Sequence, residues 1–104
     1  MDPMRDLSVI DAEAEQRYEA SIGGELAGTI EYVVKHDRLA LIHTEVLSAY
    51  EGRGVGGALI RFALDEARRR GLRVIPTCPF VRSYAESHPE THDVVTGMPP
   101  AAEA

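Results

Sequence analysis

The chain has no tryptophan, only two phenylalanines and a single cysteine, Cys78. A lone cysteine excludes an internal disulfide, so an apolar core must hold the fold, and Cys78 is a buried structural thiol, a reactive one or an intermolecular partner. Long apolar runs are also missing, and none approaches the ~20 residues that a membrane-spanning helix needs. Basic residues are in deficit, with 11 Lys and Arg against 17 Asp and Glu for a net charge of −6. That balance argues against a nucleic-acid surface and favours a cationic acceptor. The opening residues Met1-Asp2-Pro3-Met4-Arg5-Asp6 lack the charged start and apolar stretch of a secretory leader, so a cytoplasmic setting is expected.

What is present is an ordinary globular composition, 44% hydrophobic and 27% charged over 104 residues, which suits one compact domain with one core. Tyr18, Ala20 and Ile22 alternate with polar residues and predict a strand over 16–22. Gly23-Gly24 tolerates the positive φ of a hairpin turn, and alternation of Ile30, Tyr32 and Val34 predicts a second strand over 25–35. After a turn at His36-Asp37, residues 39–47 form a third. The period then changes. Val55, Ala58, Leu59, Phe62, Ala63 and Ala67 mark one stripe of a helix over 54–70. Four-residue pairs Asp65–Arg69 and Glu66–Arg70 support it, basic residues suit its C-terminal dipole, and Gly71 caps it. Arg73-Val74-Ile75 makes a short strand stopped by Pro76 and Pro79, and Phe80, Val81, Tyr84 and Ala85 predict a short helix over 80–87. The expected architecture is α+β: a mainly antiparallel sheet with two helices in the order βββαβα. The domain is expected over 1–91, with 92–104 a disordered tail.

The chemistry concentrates in Glu51-Gly52-Arg53-Gly54-Val55-Gly56-Gly57, between the third strand and the long helix. Unpaired N–H groups and the positive dipole end meet there, and glycines let an anion approach the backbone, so the turn suits phosphate. Gly52, Gly54 and Gly57 spell the dinucleotide fingerprint. That reading also requires an acidic residue ~20 positions on, where Ile75-Pro76-Thr77 stands, and it is rejected. The P-loop reading fails because Ala58-Leu59 occupies the positions of Lys and Ser or Thr.

Together with Glu45-Val46-Leu47 before it and Ala67-Arg68-Arg69-Arg70-Gly71-Leu72 after it, this turn resembles the coenzyme A site of GNAT acetyltransferases. Within them it is most similar to small domains that carry His-Thr on the preceding strand and Cys-Pro-Phe after the helix, here His43-Thr44 and Cys78-Pro79-Phe80. The resemblance covers Leu39 to Tyr84 and implies a truncated GNAT-like fold that takes acetyl-CoA, with no metal, and transfers acetyl to an amine. It implies that Gly52, Arg53, Gly54, Val55, Gly56 and Gly57 hold the pyrophosphate, that backbone groups of Val46 and Leu47 pair with the pantetheine arm, and that Ser83 and Tyr84 flank that arm. Two departures stand out. Glu51 falls where the family pattern has Gln or Arg, so Arg53 is the candidate to supply positive charge. The chain also lacks the two early helices and final strand pair of a full domain, which leaves the acceptor site open to a protein or peptide amine.

Amine acetylation needs a base and an oxyanion donor near the thioester. His43 and Glu45, two apart on one strand, are candidate bases. Cys78, just before a helix whose dipole lowers a thiol pKa, is a candidate covalent acetyl carrier or else a space-filling thiol. His88 and His92 stand at i, i+4, but Pro89 interrupts them, and no metal site is assigned. The partners expected are acetyl-CoA and an unidentified amine, with no nucleic acid or membrane, in a monomer or weak homodimer. The alternative is a coenzyme A binding module without catalysis.

Overall fold

The computed structural model describes residues 6–98. Five strands lie in sequence order across one sheet: β1 (Leu7–Ala12), β2 (Arg17–Ile22), β3 (Glu25–Lys35), β4 (Arg38–Val46) and β5 (Arg73–Ile75). Neighbours are antiparallel except β4 and β5, which run parallel because the 16-residue helix α1 (Val55–Arg70) returns the chain between them. A second helix, α2 (Pro79–Ser87), follows β5 with proline in its first turn.

α1 packs across the sheet. Leu59, Ile60 and Ala63 meet Tyr18, Ile30, Leu39 and Leu41, and all of these are fully buried. The opposite sheet face has no helix among the described residues, and Ile10, Val33 and Ile42 stand exposed there. Gly28 sets how closely α1 approaches: a Cβ there would lie 2.8 Å from the Glu45 carbonyl oxygen and 3.1 Å from Val55 Cγ1.

Three sequence expectations need correction. First, β1 is an added strand ahead of the predicted three, paired with β2 from Leu7↔Ile22 to Ala12↔Arg17. Its inward residues Leu7 and Val9 are only half-buried and Ile10 points out, so the apolar alternation is blurred. Second, the tail does not begin at 92. Val94 and Val95 are in the core, and the Val74 N–H donates to Val94 O at 2.9 Å while the Thr96 N–H donates to Val74 O at 2.8 Å. These residues line the outer edge of β5 in a stretch too short to show a period; 99–104 lies outside the described residues. Third, the helix pairs form one residue closer than expected. Arg68 bonds Asp65 at 3.1 Å and Arg69 bonds Glu66 at 2.7 Å, both i, i+3, and Arg68 also reaches Asp93 at 2.9 Å.

Candidate active site

β4 ends on a committed residue. The Leu47 N–H donates to Ala27 O at 2.9 Å, and the Tyr50 N–H donates to Leu47 O at 2.8 Å as the chain enters a 3-10 turn, Ser48–Tyr50. Both main-chain groups of Leu47, one of the residues expected on the pantetheine arm, are therefore engaged within the chain. Antiparallel alternation turns the N–H and C=O of Val46 the other way, toward the β5 side, where no strand among the described residues pairs with β4 beyond Ala40↔Ile75.

The glycine turn follows. Gly52 and Gly54 hold left-handed φ of +78° and +79°, which a Cβ would strain. Gly54 is the N-cap of α1, with no side chain capping the helix and no acid in its first turn. The first N–H groups of α1 therefore stay open and carry the positive dipole end, and the fully buried Val55 anchors them. The backbone fits a phosphate.

The two glycines inside the helix have a different purpose. A Cβ on Gly56 would stand 2.7 Å from the Phe80 ring, and one on Gly57 would stand 3.6 Å from Tyr84 Cε2. Phe80 and Tyr84 are four apart on α2, so its face closes on the first turn of α1 at these two positions. Tyr84 lies beside Gly57, whereas Ser83 stands exposed on α2. Phe80, 47% exposed, lies beside Gly56. Its i, i+4 spacing from Tyr84 was the signal available.

Next to this turn the sheet opens. β4 and β5 pair from Arg38↔Arg73 to Ala40↔Ile75; Pro76 then cannot donate to the ladder, the Cys78 N–H makes a last bond to Leu41 O at 2.8 Å, and the chain turns into α2. Cys78 thus stands at the apex of a wedge between β4 and α2. Its side chain is buried and its sulfur is 3.4 Å from Thr44 Oγ1, to which the thiol donates. Burial pushes this thiol up, but hydrogen bonds that its thiolate accepts from the Thr44 hydroxyl, which rotates to donate once the thiol ionises, and from the N–H groups of Val81, Phe80 and Thr44 outweigh it, and Cys78 lies below its ordinary value of 9.0.

His43 and Glu45 do not join Cys78. Register jumps from Glu31↔His43 to Tyr32↔Leu41, leaving Ile42 as a bulge. An unbroken strand would put His43 and Glu45 on the same face as the buried Leu39 and Leu41. The bulge shifts the phase, so Thr44 and Val46 face the helices while His43 and Glu45 are exposed on the open face. The thiol's neighbour is Thr44, half of the His-Thr pair, and one inserted residue conceals this from the sequence. His88 and His92 each bond an α2 carbonyl, Nδ1 to Tyr84 O and Nε2 to Ala85 O, both at 2.7 Å.

The domain is thus an α+β sheet split between a parallel strand pair, with an open helix N-terminus on a glycine turn beside the split. The family model described as GCN5-related N-acetyl-transferase matches residues 17–94, and the chain belongs to that family. It is 39% identical over 59 residues to the human and mouse proteins called Protein NATD1, covering 57% of this chain and 51% and 53% of theirs. The chain thus spans about half the length of the curated relatives it matches. Among solved structures, a GCN5-like protein from Staphylococcus aureus superposes with a TM-score of 0.71 at 24% identity, covering 96% of this chain and 98% of that one. A GNAT family acetyltransferase from Brucella melitensis, solved in complex with acetyl-CoA, superposes with a TM-score of 0.53 at 25% identity over 70% of this chain and 55% of that one.

Proposed function

We propose that this chain is an acetyl-CoA-dependent N-acetyltransferase acting on a primary amine of a protein or peptide. The observation that carries the reading is the join of an uncapped, acid-free helix N-terminus at Gly52–Gly57 to an unpaired β4 edge at Val46. The first feature suits the pyrophosphate and the second an amide-bearing arm that bonds to the edge as a short strand would. The arm then runs toward the wedge, where Cys78 and Thr44 meet. No helix covers the open face among the described residues, so an acceptor much larger than a metabolite can approach, and the acidic balance of the chain attracts a cationic one.

Acetyl-CoA, the acetyl donor, is a substrate here. In direct transfer the acceptor nitrogen attacks the acetyl carbonyl, the carbon–sulfur bond breaks, and the amine proton passes to the departing thiolate or, through solvent, to Glu45 or His43. In the two-step route the Cys78 thiolate attacks first and coenzyme A leaves as a thiolate. The amine then attacks the new thioester, the bond from carbon to the Cys78 sulfur breaks, and the amine proton passes to the departing Cys78 thiolate. The lowered pKa and the Thr44 contact favour the two-step route, as does the placement of His43 and Glu45 on the other face of the sheet. That same separation of base candidates from thiol also suits a coenzyme A binding module without turnover.

Intact-mass spectrometry after incubation with acetyl-CoA tests this, with Cys78→Ala as control. The two-step route predicts a gain of one acetyl group that the variant lacks. Binding without that gain, but with coenzyme A released when a lysine peptide is added, would leave direct transfer. Binding without any release would leave the binding module.

A further inference from the structure

The departure at Glu51 raises the question of which cation neutralises the pyrophosphate, and the sequence points to Arg53. The structure points elsewhere. Arg53 lies in the exposed bend before the helix, its guanidinium 5.7 Å from the centre of the Tyr50 ring, and the Tyr50 hydroxyl is itself tied to Glu25 at 2.7 Å. Arg61, one helical turn beyond Gly57, reaches back along α1: a Cβ on Gly57 would stand 3.3 Å from its Nη1. Side chains on a helix lean toward its N-terminus, so a long residue at position 61 covers the turn that begins the helix.

Three other arginines of the two helices are paired, Arg68 with Asp65 and Asp93, Arg69 with Glu66, and Arg82 with Glu86, whereas Arg70, at the far end of α1, has no ion pair among the described residues. Arg61 makes no ion pair with any described residue. Its backbone is fixed in the middle of a helix, and Tyr84 Cε2 would stand 3.6 Å from the same Cβ. Gly57 thus has a guanidinium and the edge of a phenol ring beside it, next to the first-turn N–H groups.

We infer that Arg61 is the pyrophosphate ligand of this chain, supplying from within α1 the charge that Glu51 cannot. The inference rests on the acetyl-CoA reading above. Guanidinium suits the task because its planar fork can take two oxygens of a phosphate at once. Gly57 has a matching reason to lack a side chain, since a methyl group there would press on the guanidinium.

Titration calorimetry with coenzyme A and with 3′-dephospho-coenzyme A provides the test, on the intact chain and on exposed-site variants that leave the core alone. Arg61→Ala should weaken both ligands by about tenfold or more, as loss of a charged hydrogen bond does. Arg61→Lys should recover part of that, and Arg53→Ala should cost less than Arg61→Ala. Arg69→Ala removes the same charge at the far end of α1 and should leave both affinities unchanged. Equal binding by wild type and Arg61→Ala would overturn the inference while sparing the cofactor reading. A loss confined to coenzyme A would also overturn it, placing Arg61 on the 3′-phosphate. Failure of the wild type to bind either ligand would overturn both.

Discussion

The two ends of α1 are built on opposite plans. At the C-terminal end the backbone cap and two arginines are tied. Gly71 takes the left-handed cap at φ +70°, the Leu72 N–H donates to Ala67 O at 2.8 Å, and Arg68 and Arg69 are held by Asp65, Asp93 and Glu66. At the N-terminal end, among the described residues, no side chain caps the helix, no acid sits in the first turn, and Arg61 has no ion pair. A helix that needed only to be stable would be finished at both ends, since an N-cap side chain is worth ~1 kcal/mol. The contrast leaves one end tied into the fold and the other with its N–H groups open, as the proposed anion site requires.

Substitutions can break this contrast in order of expected effect. Gly28 lies beneath the N-terminal turn, and Gly28→Val should destabilise the domain by about 3 kcal/mol in urea denaturation, because its Cβ meets the immovable Glu45 carbonyl at 2.8 Å. Gly56→Ala pushes against Phe80, an exposed ring that can swing away. It should cost only about 1 kcal/mol of stability, yet weaken acetyl-CoA about tenfold by calorimetry as the ring is displaced over the turn. Gly71→Ala forces a Cβ into left-handed backbone and should cost about 1 kcal/mol with no change in affinity, which confirms the division of labour between the two ends.

The smallest effect is electrostatic. The Arg68 hydrogen bond holds Asp93 below its ordinary value of 3.8, and Arg69 likewise holds Glu66 below 4.5. A lowered carboxylate stabilises the fold fully above its unfolded pKa and loses that contribution as pH falls through its folded value. Stability should therefore be level from neutral pH down to the ordinary carboxylate range and fall below it. Asp93→Asn should remove part of that slope in acid-denaturation curves. Asp93 is 60% exposed, so the change should be under about 1 kcal/mol and shrink in salt.

Most of the fold was legible because its signals are local. The period of α1, its glycine cap, the Gly23-Gly24 hairpin and the proline start of α2 all follow from short-range rules, and their observed bounds fall within a residue or two of the expected ones. The glycine turn was legible for the same reason. What escaped depends on partners distant in sequence. β1 is recognisable as a strand only through its pairing with β2, and Val94 and Val95 are core residues only because β5 offers them an edge. In the site, a bulge at Ile42 moved His43 and Glu45 away from the thiol and brought Thr44 to it. A one-residue insertion of this kind leaves composition and motif untouched, yet exchanges the two faces of a strand. Arg61 escaped because it lies outside the glycine run, and only the folded helix lays it over Gly57.

The most direct measurement is a heteronuclear NMR titration of the labelled chain with acetyl-CoA. The open-end reading of α1 predicts saturable shifts in the amides of Gly52 through Gly57, Val46 and Tyr84, with those of Arg69 to Leu72 unmoved. Saturation with shifts confined to other parts of the sheet, or no binding at all, would contradict it.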